Sequence, residues 1–131
     1  MTLVFFFKTP EIINFYHFPL MQDGYVVAGF SEVDKLTDYL EKNECQLLIM
    51  DYEDYCSSFD TILAKIRLVS EKTQIILITL ATYMAIKQQI LKYKIYGVIS
   101  KPSSYPKILE QIRDYIELIE KKPLHSLRKY P

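Results

Sequence analysis

Gln46-Leu47-Leu48-Ile49-Met50-Asp51 is a short apolar run that ends on a carboxylate. A strand buried on both faces reads as a continuous apolar run, because neither set of alternate side chains meets water. Four similar runs flank it: Leu3 to Phe7, Tyr25 to Phe30, Ile75 to Thr79 and Gly97 to Ser100. Several are rich in β-branched or aromatic residues, which fit a pleated surface.

Helical patterns lie between these runs. Val33, Leu36 and Leu40 form one apolar stripe, with Ser31 placed to cap it. Ile62, Leu63, Ile66 and Val69 form another, with Asp60 near its start. Ile86, Ile90 and Leu91 mark a third, and Ile108, Leu109, Ile112, Ile116 and Ile119 the longest. Pro106 suits the first turn of that last helix, and Pro123 closes it. The first crossover is a helix that Pro10 can start and that Pro19 should end or kink early. Strand and helix thus alternate five times. That order predicts an α/β three-layer sandwich, a (βα)5 unit with a parallel five-stranded sheet, helices on both faces and right-handed crossovers. The domain is expected over residues 1–121. Residues 122–131, with two prolines and four basic residues counting His125, read as a C-terminal tail.

Bulk properties narrow the function classes. The chain has 131 residues, enough for one domain with a proper core. Lys plus Arg is 16 and Asp plus Glu is 16, a balance that argues against general nucleic-acid binding. No apolar run approaches the ~20 residues of a membrane span, and the apolar N-terminus reads as a strand rather than a signal peptide. Cys45 and Cys56 fall at opposite ends of a strand, beyond disulfide reach. Two unpaired thiols fit a cytoplasmic location. His17 and His125 have no partners at metal or triad spacing, and Gly24, Gly29 and Gly97 form no phosphate-cradling loop.

Ligands of an open parallel sheet bind outside the carboxyl ends of its strands. The third strand ends in Asp51, the fourth in Thr79 and the fifth in Ser100-Lys101-Pro102. A carboxylate, a hydroxyl and an ammonium therefore converge on one rim. That trio suits phosphoryl transfer to an acid. The carboxylate attacks, the ammonium neutralises the transferring group, and the hydroxyl hydrogen-bonds a phosphoryl oxygen afterwards.

On these residues the sequence resembles the response-regulator receiver domains of two-component signalling. Leu47 to Asp51 is similar to the family's strand ending in the phosphoacceptor aspartate, and Ile75 to Thr79 to the strand ending in the switch hydroxyl. Gly97 to Pro102 is similar to the segment with the family's lysine and a proline usually preceded by a cis bond. The intervals, 28 residues from Asp51 to Thr79 and 22 from Thr79 to Lys101, are family-like, and the resemblance covers about residues 2–120. It implies a flavodoxin-like fold, strand order 2-1-3-4-5, and as partner a histidine kinase, a phosphotransfer protein or a downstream effector. It also implies self-association through the fourth helix, fifth strand and fifth helix, where Tyr83, Tyr93, Tyr96, Tyr105 and Tyr115 collect. Packing between helix and sheet is the plainer reading of those tyrosines. No output domain for DNA binding is recognisable after the core, so a stand-alone receiver or a fragment is expected.

The sequence departs from the family at three places. The family's acidic pair after the first strand, which holds a divalent metal, is here Phe7-Lys8. Hard cations need oxygen ligands; Phe supplies none and Lys competes as a cation. After Asp51 the usual proline and glycine are Tyr55 and Phe59, and the aromatic switch position is Val98. The expectation is a pseudo-receiver acting by protein–protein contact, with no cofactor and with Lys8 as counter-ion to Asp51. The alternative is a receiver still phosphorylated on Asp51, with Lys8 partly replacing the metal or with Glu53, Asp54 or Glu11 recruiting Mg2+; Glu53 and Asp54 otherwise read as solvated loop acids. A second alternative is a small flavodoxin-like nucleotide or flavin binder, for which Phe7-Lys8-Thr9-Pro10 is a poor loop.

Overall fold

A computed structural model describes residues 1–101 and 103–120. Five strands form one parallel sheet: β1 (Thr2–Phe6), β2 (Val26–Phe30), β3 (Leu47–Asp51), β4 (Gln74–Thr79) and β5 (Gly97–Ser100), in the order β2-β1-β3-β4-β5. Five helices connect and follow them: α1 (Pro10–Gln22), α2 (Val33–Lys42), α3 (Phe59–Val69), α4 (Lys87–Tyr93) and α5 (Tyr105–Glu120). The expected α/β flavodoxin-like architecture is the observed one.

Alternation along the strands divides the core into two layers. Leu3, Phe5, Leu47, Ile49, Ile76, Ile78 and Ile99 pack with Ile13, Tyr16 and Leu20 of α1 and Ile108, Ile112 and Ile116 of α5. Val4, Phe6, Leu48, Met50, Ile75 and Leu77 face the other way, onto α2, α3 and α4. The central strands are buried on both faces, which is why they read as unbroken apolar runs. Cys45 is buried, Cys56 exposed, and both are free. Among the described residues no helix is long and apolar enough to cross a membrane.

Two local expectations need correction. Helix α1 runs through Pro19 to Gln22. Proline costs a helix interior about 3 kcal/mol, but Leu20, one residue on, is fully buried, and its burial holds the last turn in place. Ser31 does not cap α2. Glu32 stands at the N-cap without a side-chain bond, and the Ser31 carbonyl accepts the Tyr55 hydroxyl at 2.8 Å. Pro102, Pro123 and the tail at 122–131 lie outside the described residues.

Arg67 staples the end of the sheet opposite the candidate site. Its half-buried guanidinium donates to the carbonyls of Tyr93, Lys94, Ser70, Glu71 and Thr73. Two of those carbonyls belong to the last residue of α4, Tyr93, and to its C-cap, Lys94, which adopts a left-handed φ of 55°. At Gly97 the Tyr115 ring lies where a Cβ would be, so only glycine lets that ring pack onto β5.

Candidate functional site at the carboxyl rim of the sheet

The rim is assembled by strand ends in register. Asp51 is the last residue of β3 and pairs with Ile78, one before Thr79 at the end of β4; Thr79 pairs with Ser100 of β5. The Lys101 N–H donates to the Thr79 carbonyl at 2.9 Å, fixing the start of the next segment. Asp51 also begins a single helical turn, Tyr52–Tyr55, by accepting the Asp54 N–H on Oδ1 at 3.0 Å. Tyr55 anchors that turn. Its ring stacks on Phe6 with centroids 4.0 Å apart, and its hydroxyl is held by the Ser31 carbonyl. The anchored turn aims Glu53 across the rim toward β4.

The expected trio is brought together. Lys101 Nζ lies 2.9 Å from Asp51 Oδ2 and 3.1 Å from Oδ1. Thr79 is buried at the neighbouring strand end. A fourth group joins them. The Glu53 carboxylate accepts the Thr79 hydroxyl at 2.6 Å, the Leu80 N–H at 3.1 Å and Lys101 Nζ at 3.2 Å. The Thr79 oxygen in turn accepts the Ala81 N–H at 2.9 Å. The site is thus one carboxylate almost closed to solvent, one ammonium shared by two acids, and one hydroxyl relayed to the β4–α4 loop.

Charge and burial oppose each other here. Burial alone would raise the Glu53 carboxyl, but the bonds from Thr79 and Leu80 and the Lys101 ammonium outweigh it and hold it below the usual carboxylate range. Burial alone would lower Lys101; Asp51 and Glu53 reverse that and hold it above its ordinary value. Two tyrosines line the neighbourhood. Burial, then Tyr105, then the Asp51 charge raise the Tyr16 hydroxyl, and burial, then Asp54 and Asp51 raise that of Tyr55.

Known proteins give the rim its context. The sequence profile of the Response regulator receiver domain matches residues 9–113. The chain belongs to the response regulator receiver domain family. Its fold is similar to that of a two-component response regulator from Clostridium difficile, at TM-score 0.77 and 14% identity, covering 93% of this chain and 97% of that one. A CheY-like receiver domain protein from Methanospirillum hungatei gives TM-score 0.74 and 17% identity over 92% and 97%. A response regulator from Thermotoga maritima gives 0.72 and 16% over 88% and 97%. No curated protein matches the sequence.

The receiver family places a divalent metal at this rim, and the donors of this receiver do not fit one. Phe7 turns into the layer beneath α1 and α5. Lys8 falls on the opposite side, where its ammonium lies 5.5 Å from the Tyr55 ring centroid and its N–H donates to Asp54 Oδ2 at 3.0 Å. The expected Lys8–Asp51 pair is therefore replaced: Lys101 is the cation on Asp51, and Lys8 sits over the aromatic ring. The weak metal candidates are also engaged, Glu53 by Thr79, Leu80 and Lys101, and Asp54 by the Lys8 backbone. Among the described residues no group of three or more His, Cys, Asp or Glu could hold a metal ion.

Sequence reasoning missed Glu53, reading it as a solvated acid or cation ligand. The available signal was Tyr55, an aromatic in the place of the usual proline, whose ring fixes the turn that carries Glu53. Val98, in the place of the aromatic switch residue, is half-buried against the layer of α2, α3 and α4. Tyr93 is a packing residue, its hydroxyl donating to Asp60 at 2.7 Å, whereas Tyr83, Tyr96 and Tyr105 are exposed.

Proposed function

We propose that this receiver works as a pseudo-receiver, a signal-transduction domain that recognises a partner protein without a metal-dependent phosphoryl cycle on Asp51. The observation that carries the reading is the closed charge network at the rim. Lys101 bridges Asp51 and Glu53, and the first strand offers Phe7 and Lys8 where a cation would need oxygens. An ammonium is a point charge; it neutralises an acid but cannot bridge attacking and transferred oxygens as a metal ion does. Held by Lys101 at the end of β3, Asp51 serves as a fixed structural anion.

Receiver domains engage histidine kinases or phosphotransfer proteins, and a downstream effector is the partner this reading favours. The candidate contact face is that of α4, β5 and α5, where Tyr83, Met84, Leu91, Tyr96 and Leu118 are exposed. The second reading, a receiver phosphorylated on Asp51, draws on the preserved trio of Asp51, Thr79 and Lys101. Intact-mass measurement after incubation with a small phosphodonor and Mg2+ separates the two. The pseudo-receiver keeps its mass. A gain of one phosphate that disappears in Asp51→Asn establishes the second reading and removes the first.

A further inference from the structure

We propose that Glu53 is a built-in anionic latch. Its carboxylate fills the anion seat formed by the Thr79 hydroxyl, the Leu80 N–H and the Lys101 ammonium, and it pins the β4–α4 loop in one conformation. The inference deepens the reading above and rests on it, since a cation at the rim would compete for these same oxygens.

Three donors of different origin converge on one carboxylate: a strand-end hydroxyl, the next backbone N–H and a lysine from the adjacent strand. That cluster is the polar complement of an oxyanion beside Asp51, and both ammonium and N–H donors strengthen when their acceptor is charged. Glu53 brings that charge from within the chain. A tethered group faces its seat at an effective concentration of millimolar order or above, so a free anion must displace a partner that never leaves. The tether is rigid as well, because Asp51 caps the turn and Tyr55 locks it onto Phe6.

The latch acts on the loop through Thr79. With its hydroxyl hydrogen directed at Glu53, the Thr79 oxygen accepts the Ala81 N–H. Two successive N–H groups, Leu80 and Ala81, are therefore held by the Glu53–Thr79 pair. The segment that follows carries exposed Leu80, Tyr83 and Met84 into α4. Glu53 thus sets the shape in which an apolar surface is presented, with no phosphate required.

The test uses amide NMR of the full chain in EDTA, on wild type, Glu53→Ala and Glu53→Gln, with inorganic phosphate as the probe at constant ionic strength. In wild type the Leu80 and Ala81 amides exchange slowly and phosphate leaves them unmoved. In Glu53→Ala they exchange about tenfold faster, and phosphate shifts Leu80, Ala81 and Lys101 saturably. Glu53→Gln, which keeps one of the two acceptor oxygens and loses the charge, falls between. Unchanged exchange in Glu53→Ala overturns the latch, and so does wild type binding phosphate as well as that variant. The wild-type titration needs no variant to fold. Because no divalent metal or phosphodonor is present, a latch that fails here is distinguishable from a pseudo-receiver that fails by gaining phosphate on Asp51.

Discussion

Lys101→Met is the perturbation that most directly loads the rim. Methionine keeps much of the apolar stem and removes the ammonium. The Asp51 side chain is only 5% exposed, and its Oδ2 lies 2.9 Å from Nζ; Glu53 loses the same cation at 3.2 Å. Stripping one partner from a fully buried ion pair costs about 3–5 kcal/mol. The Lys101 side chain is 30% exposed, so water reaches part of the vacated place, and the cost falls to about 2 kcal/mol. With a urea m-value of about 2 kcal/mol/M, the midpoint drops by about 1 M. Asp51→Asn on the Lys101→Met background removes the stranded charge. The double variant is therefore less destabilised than the two singles together, by about 1–2 kcal/mol. Urea unfolding followed by circular dichroism at neutral pH measures all four proteins. Additive single effects, or an unchanged midpoint in Lys101→Met, would refute the claim that this ammonium neutralises Asp51.

Two further outcomes follow from named contacts. The Glu53 carboxyl is held below its unfolded value of about 4.5, so its contribution is fully present above that pH and is lost as pH falls through the lower folded value; the stability gap between wild type and Glu53→Gln should close on acidification below pH 4.5, as urea midpoints across pH will show. Lys94 ends α4 at a positive φ, where a Cβ is strained and glycine is not; Lys94→Gly should stabilise by about 0.5–1 kcal/mol, read as a raised urea midpoint, because the bond Arg67 makes there goes to the backbone carbonyl.

The parts legible in the sequence are those whose signal is local. Leu47 to Met50 read as a strand because every side chain is buried, whichever face it takes. Asp51, Thr79 and Lys101 read as a site because each ends or directly follows a strand and parallel register does the rest. Charge alone points Lys8 at Asp51, whereas alternation from Phe6 sends it over Tyr55. Glu53 was missed for a related reason. Its direction depends on one helical turn clamped by the Phe6–Tyr55 stack, a contact between residues far apart in the chain. Pro19 misled because its penalty is local while the compensation, burial of Leu20 under β1 and β2, is tertiary.

Titration of the full chain with millimolar Mg2+, followed by the amide resonances of Lys8 and Asp51 to Asp54, addresses the rim's self-sufficiency most directly. A rim closed by Lys101 gives no saturable shift at these positions and no rise in melting temperature. Saturable shifts centred on Asp51, with a higher melting temperature in Mg2+ than in EDTA, would show that the acids still gather a cation.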